Sequence, residues 1–201
     1  MSLESSDRHR RRILDDPTVI RGLAHPLRLQ LHALVGREGP ITAADAARHL
    51  GISQALASHH LRQLAKYGYV EPAAAADNRE RPWQVTTTSM GWQGSEAEPD
   101  TADATDLLEQ LFAERAVAEL IDWQRRRRDW NVRWRDHSGM SQSLVYLTAD
   151  EMIELERAYD ALIAPLVERR RLGDAASRPA GAMPVTVTTI AVPLEPLPSG
   201  G

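Results

Sequence analysis

The chain contains no cysteine, which excludes disulfides, thiolate-bound zinc, a cysteine nucleophile and a CxxC redox centre. Any metal site has to be built from histidine and carboxylate. Lysine is nearly missing too: of 24 basic residues only Lys66 is one, a skew we read as compositional rather than chemical. No apolar run approaches the roughly 18 residues that span a bilayer. The stretch Met1 to Arg12 is polar and arginine-rich, with no apolar segment behind it, so a cytoplasmic protein is expected. No recognisable set of nucleophile, base and metal ligands occurs, so neither an enzyme nor a cofactor is expected, and no metal.

The 201 residues are 42% hydrophobic and 26% charged, with a net charge of −4, the composition of a globular protein of one or two domains. That charge is unevenly spread. Residues 1–89 carry 12 Lys/Arg against 9 Asp/Glu, a net of +3, and 90–201 carry 12 against 19, a net of −7. The first half also holds six of the seven histidines. A basic half beside an acidic one has to be read domain by domain.

The local signals divide the chain into a disordered basic lead (1–12), a first domain (13–88), a linker (89–100), a second region (101–192) and a disordered tail (193–201). The fold class expected is mainly α with small β. Asp16-Pro17 starts a short helix through Leu23, because an acidic cap before proline is a helix-start signal. His25-Pro26 restarts the chain, and Leu27, Leu31, Leu34 and Val35 recur at helical spacing until Gly36 and Gly39-Pro40. Thr42 caps a third helix that stops at Gly51, and Ser53 caps a fourth, Gln54 to about Tyr67, closed by Gly68. Two short helices joined by a tight glycine turn are the helix-turn-helix signature. Tyr69 to Glu71 and Trp83 to Thr86 then read as two strands of a hairpin with a charged tip.

In the second region a long helix is expected over 101–136, with Leu107, Leu111, Ala118 and Ile121 along one stripe and Leu108 and Phe112 beside it. Ser143 to Leu147 reads as a strand. Thr148 and Glu151 form a capping box for a helix that carries Met152, Leu155, Tyr159, Leu162 and Leu166 to about Arg171. Val185 to Val192 reads as a further strand.

Function rests on the fourth helix. At about 100° per residue, Ala57, His60, Leu61 and Leu64 gather on one side and Ala55, His59, Arg62 and Lys66 on the other, with Gln54 and Ser58 at its edge. The second face is small and polar at its start and basic further on, which suits entry into a DNA major groove: glutamine pairs with adenine and arginine with guanine or phosphate. Ser53 and the first-turn amides can meet a phosphate. Asn78, Arg79 and Arg81, at or near the hairpin tip, add contacts to the backbone or the narrow minor groove.

Residues 17–88 resemble the winged helix-turn-helix domain of the arsenical-resistance-regulator (ArsR) family of bacterial repressors. The resemblance is carried by His25-Pro26-Leu27-Arg28, Ile52-Ser53-Gln54, Ser58-His59-His60-Leu61 and Gly68-Tyr69-Val70, in that order. It implies a homodimer on a palindromic double-stranded operator, with 54–62 as the reading helix. The chain departs from metal-sensing members, having no cysteine ligands and only His137 in its second half. The Tyr146 to Glu151 element resembles the C-terminal part of longer regulators of this type.

Two further features have competing readings. Arg125 to Arg128 looks like a nucleic-acid tract, but four successive helical residues point around the whole axis, so a solvated and partly ion-paired segment is the better account. Trp123, Trp130 and Trp134, spaced 7 and 4 apart, form either a packing face or a flat pocket for a small organic effector. The rival to a DNA-binding regulator is a winged-helix protein-interaction module without sequence-specific DNA binding. The face made by positions 55, 59, 62 and 66 discriminates between them.

Overall fold

The computed structural model describes residues 12–74, 81–87, 90–92, 98–169 and 177–194. In chain order these form β1 (Arg12–Leu14), α1 (Pro17–Leu23), α2 (Pro26–Glu38), α3 (Ala43–Leu50), α4 (Gln54–Lys66), β2 (Val70–Pro72), β3 (Trp83–Val85), β4 (Met90–Trp92), α5 (Pro99–Arg126), a 3-10 turn (Arg127–Asp129), α6 (Val132–His137) and α7 (Ala149–Arg169). The mainly helical architecture with a small β component is the one the sequence suggests.

Each of the first four helices begins on a side chain that satisfies amides left open in the first turn. Asp16 Oδ1 accepts from Thr18 N at 2.7 Å. His25 Nδ1 accepts from Leu27 N at 3.1 Å, Thr42 Oγ1 from Asp45 N at 3.1 Å and Ser53 Oγ from Leu56 N at 3.2 Å. Gly36 does not interrupt α2, which runs to Glu38 and stops at Gly39, where φ is 93°. Gly51, at φ 66°, and Gly68, at φ 72°, take the left-handed conformation that ends α3 and closes the turn after α4.

β2 and β3 pair antiparallel with Val70 opposite Val85, and Ile41 adds a bridge to Trp83 just before α3. This three-piece β edge is the base of the wing. A second ladder lies outside the sequence expectations. β1 and β4 pair in parallel, Ile13 opposite Gly91, so Arg12, read as the end of a disordered lead, opens a strand. The stretch read as a linker, 89–100, likewise contains β4 and the first two residues of α5.

The core brings together Ile20 and Leu23 of α1, Leu31 and Val35 of α2, Leu61 and Leu64 of α4, Tyr69, and Ala104 and Leu108 of α5. The first third of α5 therefore belongs to the winged-helix core. The buried stripe is Thr101, Ala104, Thr105 and Leu108, whereas Leu107 and Ile121 of the expected stripe are exposed. Arg21 anchors this packing with a two-pronged ion pair to Asp100, Nη1 to Oδ2 at 2.8 Å and Nη2 to Oδ1 at 2.5 Å.

Beyond Leu108 no described residue is buried. The expected 101–136 helix breaks: α5 ends at Arg126, and Trp130 turns extended (φ −92°, ψ 152°). Asn131 then caps α6 by accepting from Arg133 N at 2.9 Å, a local bond that competes with continuing the helix. The capping box of α7 is present, with Thr148 N donating to Glu151 Oε2 at 2.7 Å and Glu151 N to Thr148 Oγ1 at 3.2 Å. The segments 143–147 and 185–192 run without ladder partners among the described residues, so they are not the paired strands expected. β propensity alone forms no sheet without a neighbour to pair with. No helix among the described residues is long and apolar enough to cross a membrane.

Candidate nucleic-acid interface

α4 is positioned by what it buries. Ala57, His60, Leu61 and Leu64 are buried, which holds the opposite side outward. Ala55, His59, Arg62 and Lys66 are exposed there, together with Ser53 and Gln54, and Ser58 is half-buried. The two faces thus fall as the helical spacing predicts. No carboxylate occurs anywhere in 54–66, so the outward face is uniformly neutral or cationic, as a surface that meets phosphates requires. Arg62 Nη1 donates to Ser58 Oγ at 2.9 Å, which lays the guanidinium along the helix and restricts its rotamers while leaving donors for a base or phosphate. Lys66 Nζ stands 5.3 Å from the centre of the Tyr67 ring at the far end.

On the inner side His60 meets the cap of α2. Its ring centre lies 4.9 Å from that of His25 and 5.2 Å from that of His59. Burial first, then His25, His59 and Arg28, hold His60 below the ordinary imidazole range. Burial and then Arg28 do the same to His25. Both favour the neutral form at neutral pH, which lets the two imidazoles pack against each other, tilted by 37°, without repulsion. His59 and His60 stand nearly perpendicular, at 83°. Among the described residues no group of three or more His, Cys, Asp or Glu is placed to hold a metal ion.

The wing contributes Arg81, which is exposed just before β3. Asn78 and Arg79 lie outside the described residues. Behind the wing the fold is tied down by Tyr69, whose Oη donates to Val19 O at 2.7 Å. Burial pushes its hydroxyl pKa up to about 12. His32 packs edge-on to Tyr69 at 6.0 Å. It is almost wholly buried, which lowers its pKa to about 4, and its ring hydrogen-bonds the Thr87 backbone. Sequence reasoning missed this His32 to Tyr69 anchor, because neither residue lies on a face whose polarity marks it.

A helix-turn-helix whose second helix stands free on its basic side, followed by a two-stranded wing, is a winged helix-turn-helix. Residues 23–72 match the family model of a helix-turn-helix domain. The matched stretch contains the whole of α2, α3 and α4 and ends with β2. Among solved structures, a MarR-family protein of Mycobacterium tuberculosis in complex with salicylic acid is similar to the chain at 20% identity, over 73% of this chain and 85% of that one, with a TM-score of 0.28. No curated protein matches.

The tryptophan set is brought together only in part. Trp123 and Trp130 meet edge to face, 5.3 Å between ring centres at 67°. Trp134, beyond the helix break, is half-exposed on α6 and makes no ring contact with either among the described residues. Spacings of 7 and 4 define one face only of an unbroken helix, and the break between α5 and α6 sets Trp134 apart from the other two. Arg125 to Arg128 are all exposed, and Arg126 pairs with Asp122.

Proposed function

We propose that the protein is a transcriptional repressor of the ArsR type, which binds a palindromic double-stranded operator as a homodimer and reads it with the exposed face of α4. The observation that supports this most is the carboxylate-free outward face of α4, with Ala55, His59, Arg62 and Lys66 exposed above a buried apolar side. On this reading Gln54, Ala55, Ser58, His59 and Arg62 approach base edges in the major groove. Ser53 and Lys66 lie against phosphates, and Arg81, with Asn78 and Arg79, contacts the neighbouring backbone or minor groove. The ArsR assignment is supported by the His25-Pro26-Leu27-Arg28 and Ser58-His59-His60-Leu61 motifs.

Selection of bound duplexes from a random pool, followed by gel-shift titration, tests the reading. A selected site with two-fold symmetry is expected, with affinity falling steeply as salt rises. Arg62→Ala should cost roughly 1–3 kcal/mol on that site if the guanidinium touches a base. Absence of any duplex preference would overturn the assignment in favour of a protein-docking winged helix, whose partner would tolerate neutral replacement of Arg62 and Lys66.

Release by an organic effector is part of the same proposal, placed at the Trp123 and Trp130 pair. It is supported by Trp123 Nε1, buried without a hydrogen-bond partner, a donor that a ligand acceptor would satisfy. Titration of small aromatic acids against indole emission tests it, and ligands that shift emission should also weaken operator binding.

A further inference from the structure

Beyond Leu108 the chain has ordered helices and, among the described residues, no buried one. Its apolar side chains are not scattered. On α7 Met152, Leu155, Tyr159, Leu162 and Leu166 follow one another at intervals of 3, 4, 3 and 4, with Ile163 and Val167 flanking them and Ile153 on another side. That alternation is the spacing of a coiled-coil seam, which keeps one stripe facing a partner helix along its length. Leu155, Leu162 and Leu166 are 52%, 72% and 41% exposed, while Met152 and Tyr159 are half-buried. From 152 to 166 the stripe runs about 21 Å, at about 1.5 Å per residue, which exceeds a chance exposed leucine and marks an interaction surface.

The charge along α7 indicates what covers it. Residues 150–157 carry Asp150, Glu151, Glu154 and Glu156 against Arg157, a net of −3. The C-terminal end carries Glu168 and Arg169, and the sequence continues with Arg170 and Arg171, a net of +2 over 168–171. A helix that is acidic at one end and basic at the other is complementary to a second copy of itself laid antiparallel, and repels one laid parallel. The antiparallel arrangement also obeys the two-fold symmetry in which each residue pair occurs twice.

We infer that α7 pairs antiparallel with α7 of a second copy, with Leu155 against Leu166 and Tyr159 against Leu162 in both directions. The acidic start of each helix then lies beside the arginine end of the other. Pro165 falls at the flank of the seam rather than in it, and Arg169 Nε, which donates to Pro165 O at 3.0 Å, leaves its other nitrogens for the opposing carboxylates. The inference rests on the dimeric part of the function proposed above and not on DNA contact. It gives the second region a core that one chain does not supply.

The absence of cysteine makes the test direct. The full-length wild-type protein should sediment as a dimer at micromolar concentration without DNA. Oxidised Leu155→Cys/Leu166→Cys should migrate as a covalent dimer on a non-reducing gel, while Leu155→Cys alone stays monomeric, because an antiparallel seam keeps the two 155 positions apart. Leu162→Glu should weaken the dimer by roughly 100-fold or more, since each copy would bury a carboxylate in the seam. Should that variant fail to fold, the cysteine pairs still decide. A monomeric wild type, self-linking of Leu155→Cys, failure of the double variant to link, or a Leu162→Glu dimer as tight as wild type would each overturn the inference. Loss of operator binding by Arg62→Ala with the cross-link intact separates the two proposals: the seam survives a failure of DNA reading, and the reverse also holds.

Discussion

The guanidinium of Arg12 lies 4.9 Å from the centre of the Tyr69 ring. From there it donates to Gly68 O at 2.8 Å and Tyr67 O at 3.2 Å. It therefore caps the C-terminal end of α4, where carbonyls lack intrahelical partners and the helix dipole favours a cation. A residue at the entrance of the domain thus holds the end of α4. Arg12→Ala should destabilise the protein by about 1–2 kcal/mol through the lost capping bonds and ring contact. Arg12→Lys should recover less than half of that, because a single ammonium nitrogen lacks the planar fork whose two nitrogens reach the two carbonyls separately. Urea unfolding followed by circular dichroism checks both.

Gly22 faces the Tyr67 ring so closely that an added Cβ would stand 2.4 Å from Cγ and Cδ2. Gly22→Ala should therefore cost about 1–3 kcal/mol by overpacking between α1 and the end of α4. Gly51 differs: a Cβ there meets nothing within 4 Å, and only its φ of 66° matters. Gly51→Asn should cost less than Gly51→Ala, and each less than about 1.5 kcal/mol. Thermal melts of the three variants test the ranking.

Acid should loosen the winged helix. His32 takes its proton only near pH 4 in the folded protein, against an ordinary value of 6.5, so between those limits the unfolded chain binds more protons than the folded one. Stability must then fall as pH drops through 6.5 and level off below about 4. The loss from this residue is on the order of 3 kcal/mol. His25 and His60, also lowered, add in the same direction. Urea midpoints at pH 7.5 and 4.5 should differ accordingly, and His32→Phe should flatten much of the dependence. Equal midpoints in the wild type would contradict the burial of a neutral His32.

Wing and helix should respond differently to substitution. Arg81→Ala should weaken all duplexes alike and reduce the slope of log affinity against log salt by about 1, the signature of one lost phosphate contact. Arg62→Ala should flatten the preference among duplexes instead. Gel shifts at several salt concentrations on the selected site and on a scrambled one distinguish these outcomes.

What the sequence discloses here is what acts over a few residues. Asp16, Thr42 and Ser53 are legible as caps because their partners lie two or three positions away, and the two faces of α4 are legible because Ala57, Leu61 and Leu64 repeat with the helix. The β1 and β4 ladder is not, since Arg12 to Leu14 and Met90 to Trp92 are three-residue strands far apart in the chain. The buried stripe of α5 escapes for another reason: Thr101, Ala104 and Thr105 carry little hydrophobic signal, while the more conspicuous Leu107 faces out. On the candidate interface, exposure of His59 and Arg62 follows from periodicity, but the grip of Ser58 on Arg62 and the packing of His60 on His25 require coordinates. The break at Trp130 depends on Asn131 winning a competition between a cap and a continued helix, which no spacing rule decides.

The parallel ladder between β1 and β4 has a practical bearing on how the protein can be divided. A fragment ending at residue 88 would leave Ile13 and Leu14 without their neighbouring strand and strip Ala104 and Leu108 from beneath α1. The smallest excisable winged-helix unit accordingly runs from Arg12 to about Phe112, and the long helix begins inside that unit before it leaves it. Any movement imposed on the far end of α5 is therefore delivered directly to the packing under α1, with no slack tether to absorb it.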